Sequence, residues 1–82
     1  MYLHLGEKTV VQTESIVGIF DMDNSTISKH TRNFLSNCEK NGEVVNVSYE
    51  LPKSFIVCIE DNKRKVYISQ IAAATLYKRI KN

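Results

Sequence analysis

The side chains with the most chemical potential lie in one short run, Phe20-Asp21-Met22-Asp23-Asn24-Ser25-Thr26, directly after an apolar stretch. Two aspartates so spaced at a strand end resemble a phosphoryl-transfer pair, which would imply one carboxylate attacking phosphorus and the other serving as acid and base. That chemistry also needs a magnesium site completed by acids far downstream, a Lys or Arg, and a parallel sheet to hold them. A chain of 82 residues rich in hairpin signals does not supply that frame. Read as a calcium loop, the run has Thr26 where glycine is needed and Arg32 where the bidentate glutamate is needed. The segment therefore reads as a strand end followed by helix-capping residues, with acids favoured near a helix N-terminus.

The remaining reactive types are sparse. Cys38 and Cys58 cannot build a disulfide framework or a four-ligand zinc site, and they read as free, buried thiols. Neither has a histidine nearby in sequence. His4 and His30 are far apart and read as solvent-facing, and there is no glycine-rich phosphate loop. The expectation is a non-enzyme with no catalytic residue, no metal, no cofactor and no small-molecule substrate.

Basic side chains on turns are what is left. Lys8, Lys53, the run Lys63-Arg64-Lys65 and the cluster Lys78, Arg79 and Lys81 fall on predicted turns or chain ends. Phosphate contacts use such protruding cations, and lysines also guard sheet edges against unwanted pairing. The net charge of +2 permits a nucleic-acid partner without demanding one. The candidate DNA contacts are Lys53, Lys63, Arg64 and Lys65.

The elements that must position these residues follow from the hydrophobic pattern. Leu3 and Leu5 alternate with Tyr2 and His4, a turn follows at Gly6-Glu7-Lys8, and Thr9-Val10-Val11-Gln12 returns, which predicts an opening hairpin. Residues 15–20 form a third strand. Ile27, Thr31, Phe34, Leu35 and Cys38 share one helical stripe, predicting a helix over 26–41 closed by Gly42 in the left-handed region. Residues 44–49 alternate, with Val45, Val47 and Tyr49 on one side. Pro52 breaks the pattern, 54–60 is the strongest strand, Asp61-Asn62-Lys63 turns, and 64–68 returns. Ser69 is read as the cap of a final helix, 70–80, with Ala72, Leu76 and Ile80 on its buried stripe. The result is a single α+β domain over residues 1–82 on an antiparallel sheet, in the order β-β-β-α-β-β-β-α. No apolar run approaches a membrane span and no exported leader is read at the N-terminus, so a cytoplasmic location and no membrane partner are expected.

Strands 15–20 and 54–60 are apolar on both faces, where an antiparallel sheet with one wet face should alternate. Two helices on opposite sides could cover them, and so could a second copy of the chain. Ile16, Val17, Ile19, Phe20, Phe55 and Ile56 are the candidate oligomer interface, and a homo-oligomer, a ring among the options, is expected.

Met1-Tyr2-Leu3-His4-Leu5-Gly6, Val10-Val11, Ile16-Val17-Gly18-Ile19-Phe20-Asp21, Lys53-Ser54-Phe55-Ile56-Val57 and Tyr67-Ile68-Ser69 leading to Thr75-Leu76-Tyr77-Lys78-Arg79 together resemble the RemA/RemB family of bacterial extracellular-matrix (biofilm) regulators, nearer the RemB branch. The resemblance implies a small cytoplasmic protein that assembles into rings and regulates transcription, on a fold likened to LytTR-type DNA-binding domains. The RemA branch binds promoter DNA with arginines at the start of its third strand and in the loop before its long central strand. Ser15 and Leu51-Pro52 stand at those positions here, with Lys53 as the adjacent cation. Two readings follow. One is an oligomeric regulator of matrix genes with weak, phosphate-directed DNA binding. The other is an interaction protein that assembles and binds another regulator without touching DNA.

Overall fold

Which strand lies in the middle is decided by Ser54–Glu60 (β5), whose side chains are buried on both faces over most of its length. The computed structural model describes residues 1–22 and 28–81. Tyr2–Gly6 (β1) and Thr9–Gln12 (β2) form a two-stranded antiparallel sheet of their own. Ile16–Asp21 (β3), β5, Lys63–Ser69 (β6) and Val44–Asn46 (β4) form the main sheet in the order β3-β5-β6-β4. Two helices complete the chain, Lys29–Lys40 (α1) and Ala73–Lys81 (α2).

The order of elements agrees with the sequence reading, while the single antiparallel sheet is corrected in two ways. The opening hairpin stands apart from the main sheet, and β4 runs parallel to β6. The reason for the second is local to β5. It pairs with β6 through a tight hairpin and with β3 on its other side, so both edges of β5 are taken; β4 adds at the outer edge of β6, and β3 remains the other edge of the sheet. The β5–β6 turn is Asp61-Asn62, both at positive φ (53° and 64°), the two-residue geometry whose twist matches the flanking strands.

Alternation along β5 feeds two cores. On one face Ile56 and Cys58 join Ile19, Tyr67, Leu3, Leu5, Val11, Ala73 and Leu76, so the hairpin and α2 cover this side. On the other, Phe55 and Val57 join Val66 and Cys38, with Phe34 and Leu35 of α1 packed against them. The two-faced apolar character of β5 is thus satisfied within one copy.

Several boundaries move for stated reasons. α1 begins at Lys29, where the Ser28 hydroxyl accepts the Thr31 N–H at 3.1 Å. The helix start expected at Thr26, and the role given to Asp23, Asn24, Ser25 and Ile27, fall outside the described residues. The far end is as expected: Gly42 takes φ of +71°, its N–H bonds Glu39 and the Glu43 N–H bonds Cys38, the paired closure of a Schellman motif. Strand β4 stops at Asn46, short of the expected end at Tyr49; Val47 is buried, but the Glu50 N–H turns back onto the Ser48 hydroxyl, and Tyr49 does not share the side of Val47 and is fully exposed. Ser69 does not cap a helix at Gln70. It ends β6, its hydroxyl donating to the Leu5 carbonyl at 2.6 Å and accepting from the Ile71 N–H at 3.0 Å. The chain bends through 70–72, and the Ala72 carbonyl opens α2 by accepting from Thr75 and Leu76.

β3 is an edge strand. The Met22 N–H bonds the Lys53 carbonyl at 2.8 Å, which sets Phe20 and Gly18 toward β5 and turns the peptide groups of Ile19 outward. The Tyr77 hydroxyl of α2 donates to that Ile19 carbonyl at 3.1 Å.

Candidate nucleic-acid interface

The four candidate cations are split by the sheet. Lys53 enters β5, its N–H bonded to the Ser69 carbonyl, while Lys63 and Lys65 sit by the β5–β6 turn at the opposite end. In register Lys63 faces Glu60 and Lys65 faces Cys58. At about 3.4 Å per residue, Lys53 and these two lysines are therefore separated by roughly 17–23 Å along the strands. All three are exposed.

Arg64 is engaged elsewhere. Its Nε and Nη2 donate to Glu43 Oε1 at 3.0 and 2.8 Å, and its guanidinium lies 5.2 Å from the centre of the Phe34 ring. The side chain ties the β5–β6 turn to the end of α1. The partner was invisible in the sequence because Glu43 lies 21 residues away. Of the four candidates, Arg64 is the one committed to the fold.

Ser15 and Leu51-Pro52, the positions that the family resemblance matches to arginines, are also at opposite ends of the sheet. Ser15 closes a 3-10 turn, Thr13–Ser15, before β3, while Leu51 and Pro52 lie in the loop before β5. Both loop residues are exposed.

The oligomer candidates separate by burial. Ile19, Phe55 and Ile56 are core residues, and Ile16 packs half-buried against the first core. Val17 and Phe20 remain at the surface, 67% and 46% exposed. A register shift between Ile16 and Gly18 throws Val17 out of the ladder. The Phe20 ring lies across Gly18, where any β-carbon would come within 2.6 Å of it, and stacks on Phe55 at 5.0 Å. Val17, Phe20, Phe55 and Val57 from the sheet, with His30, Thr31 and Phe34 from α1, line a largely apolar groove of about 390 Å³. The sequence signalled its apolar residues but not that α1, packed over β6 and β4, leaves this strip beside β3 open.

Both thiols are free and buried. Burial raises Cys58 to about 11, with Glu60 adding to the effect, and burial also raises Cys38. Tyr67 is pushed up by burial and by its hydrogen bond to Glu60 at 2.6 Å. Among the described residues, no three of His, Cys, Asp and Glu gather as a metal site, and no helix is long and apolar enough to cross a membrane.

The family described as extracellular matrix regulatory protein A-like (RemA-like) matches residues 2–80. The chain belongs to the RemA-like family. Extracellular matrix regulatory protein B of Bacillus subtilis (strain 168) is 38% identical over 79 residues, covering 96% of this chain and 89% of that relative. The similarity therefore runs through β1 to α2, and it lies on the RemB side of the RemA-like family.

Proposed function

We propose that this chain is a cytoplasmic, homo-oligomeric regulator of extracellular-matrix genes that contacts duplex DNA through its phosphates, on a domain of the LytTR-like kind. Membership of a matrix-regulatory family supports the first part. The observation that carries the DNA contact is the exposure of Lys53, Lys63 and Lys65 at the two ends of one sheet. No bidentate arginine is free among these candidates for reading bases, since Arg64 is held by Glu43. Binding is therefore weak per copy and accumulates by avidity as the lysines repeat around an assembly.

A second reading is favoured by the apolar groove and by the engagement of Arg64: an assembly that binds another regulator and leaves DNA alone. Salt separates the two. Retention of long duplex DNA at about 50 mM salt, falling steeply toward physiological salt and reduced in Lys53→Glu/Lys63→Glu/Lys65→Glu, supports the DNA reading, each lysine accounting for about one unit of the log–log salt slope. An intact oligomer that retards no DNA at about 50 mM salt transfers the function to protein contacts.

A further inference from the structure

Helix α1 ends on Asn41-Gly42, the one place in this chain where an asparagine precedes a glycine. Asparagine is a thermally labile side chain, and a glycine after it removes the β-carbon that would hinder attack by the next amide nitrogen. Asn41 is exposed, and a β-carbon built on Gly42 would meet no atom within 4 Å, so solvent surrounds this peptide group.

The fold opposes the reaction in one specific way. Asn41 has ψ of 3°, and the Gly42 N–H is bonded to the Glu39 carbonyl at 3.1 Å, inside the closure that also ties the Glu43 N–H to the Cys38 carbonyl at 2.9 Å. The Gly42 nitrogen must leave that bond, and ψ must rotate, before it can face the Asn41 side chain. Glu43 braces the closure from the other side, accepting from Arg64 Nε and Nη2 at 3.0 and 2.8 Å. The peptide is therefore released by local opening of the last turn of α1.

We propose that Asn41 is a deamidation site gated by the closure of α1, and that its conversion is a slow charge switch beside the β5–β6 turn. The Gly42 nitrogen bonds to the Asn41 side-chain carbonyl carbon, the carbon–nitrogen bond of the side-chain amide breaks, and ammonia departs with the Gly42 proton. Water then opens the cyclic imide at one of its two carbonyls. Attack at the side-chain carbon gives aspartate; attack at the main-chain carbon gives isoaspartate, with the chain routed through the β-carbon. Either product turns a neutral amide into a carboxylate and lowers the net charge of +2 by one.

The new carboxylate matters because of where it stands. Asn41 lines one cleft with Lys63, Arg64 and Lys65. An acid at a helix C-terminus opposes the helix dipole. Here it also competes with Glu43 for Arg64 and offsets the two lysines proposed to meet phosphate. That loss of DNA contact rests on the DNA reading above, whereas the reaction at Asn41 does not.

Incubation of the full chain at mildly alkaline pH, folded and in guanidinium, tests the site, with residue 41 followed by peptide mass and by isoaspartate detection. Attack and amide exchange both need the Gly42 N–H released. The folded chain should therefore convert more slowly than the unfolded chain by about the protection factor that hydrogen exchange gives for Gly42. Arg64→Met, which frees Glu43, should speed conversion of the folded chain several-fold, and Asn41→Gln should abolish it. Asn41→Asp should weaken DNA retention at about 50 mM salt, while Asn41→Gln retains DNA as the wild type does. Conversion as fast in the folded as in the unfolded chain, or none in the folded chain within the time that protection factor sets, overturns the gated site. A wild type that retains no DNA overturns the DNA reading and the switch with it, and leaves the site to be judged on the mass data. Unchanged retention in Asn41→Asp, against a wild type that binds, overturns the switch alone.

Discussion

Replacing Ser69 with alanine tests the joint between the opening hairpin and the main sheet. The side chain is completely buried, and its hydroxyl makes two bonds, donating to the Leu5 carbonyl and accepting from the Ile71 N–H. Leu5 is itself fully buried, so its carbonyl finds no water when the hydroxyl goes. An orphaned buried backbone group costs about 1–3 kcal/mol, so the two together place Ser69→Ala at roughly 2–6 kcal/mol. For a chain of this size the whole stability is about 4–12 kcal/mol. At roughly 4–8 °C per kcal/mol, Tm falls by at least about 8 °C. Ser54 is the control: it is the cross-strand partner of Ser69, equally buried, and its hydroxyl makes a single bond, to the Ile71 carbonyl at 2.7 Å. Ser54→Ala is expected to cost about half as much. Because both serines hold Ile71, the double variant departs from additivity. Thermal and urea unfolding at one fixed protomer concentration measure all three, and amide exchange should show β1 and β2 losing protection first in Ser69→Ala. A Tm within about 2 °C of wild type for Ser69→Ala would refute the reasoning.

Leu76→Ala empties a fully buried site between α2 and the first core and is expected to cost about 2–5 kcal/mol in urea unfolding. Arg64→Met should lower Tm by freeing Glu43 and the end of α1, yet leave DNA retention by the folded protein close to wild type; loss of DNA retention with Tm unchanged would return Arg64 to the DNA surface. Stability should fall as pH rises above about 9, because the unfolded chain ionises Cys58 there while the folded chain holds the proton to about 11; Cys58→Ala should flatten that slope in pH-dependent melting. Gly18→Ala forces the Phe20 ring off its seat and should shift the aromatic proton resonances of Phe20 and Phe55 while the hairpin signals stay in place.

How much was legible depended on how local the cause was. Gly42 closing α1, the Asp61-Asn62 turn and the two-faced β5 are written in neighbouring residues, and they stand as read. The parallel pairing of β4 with β6 is not written there, because it depends on where α1 delivers the chain relative to a sheet edge formed by Val66, Tyr67 and Ile68, much further along the sequence. Ser69 looked like a cap because serine before a helical stripe usually is one; a carbonyl 64 residues away claimed its hydroxyl instead. Arg64 looked like a free cation for the same reason, its acid lying across the fold on the far side of α1. At the candidate site, residue types were readable and separations were not: nothing in the order Lys53, Lys63, Lys65 says that a hairpin sends the first to one end of the sheet and the others to the opposite end.

The Tyr77 hydroxyl on the Ile19 carbonyl has a bearing on how copies of this chain can grow together. A bare edge strand invites another strand to add, and strand addition has no natural stopping point, since every added edge is a fresh template. Here an outward acceptor of β3 is occupied by the chain's own helix, so a newcomer must displace an existing bond to extend the ladder. Ladder extension of that kind leads toward fibres. One phenol oxygen therefore guards the outer edge of β3, and Tyr77→Phe should reveal the suppressed route as slow, thioflavin-positive aggregation on prolonged incubation.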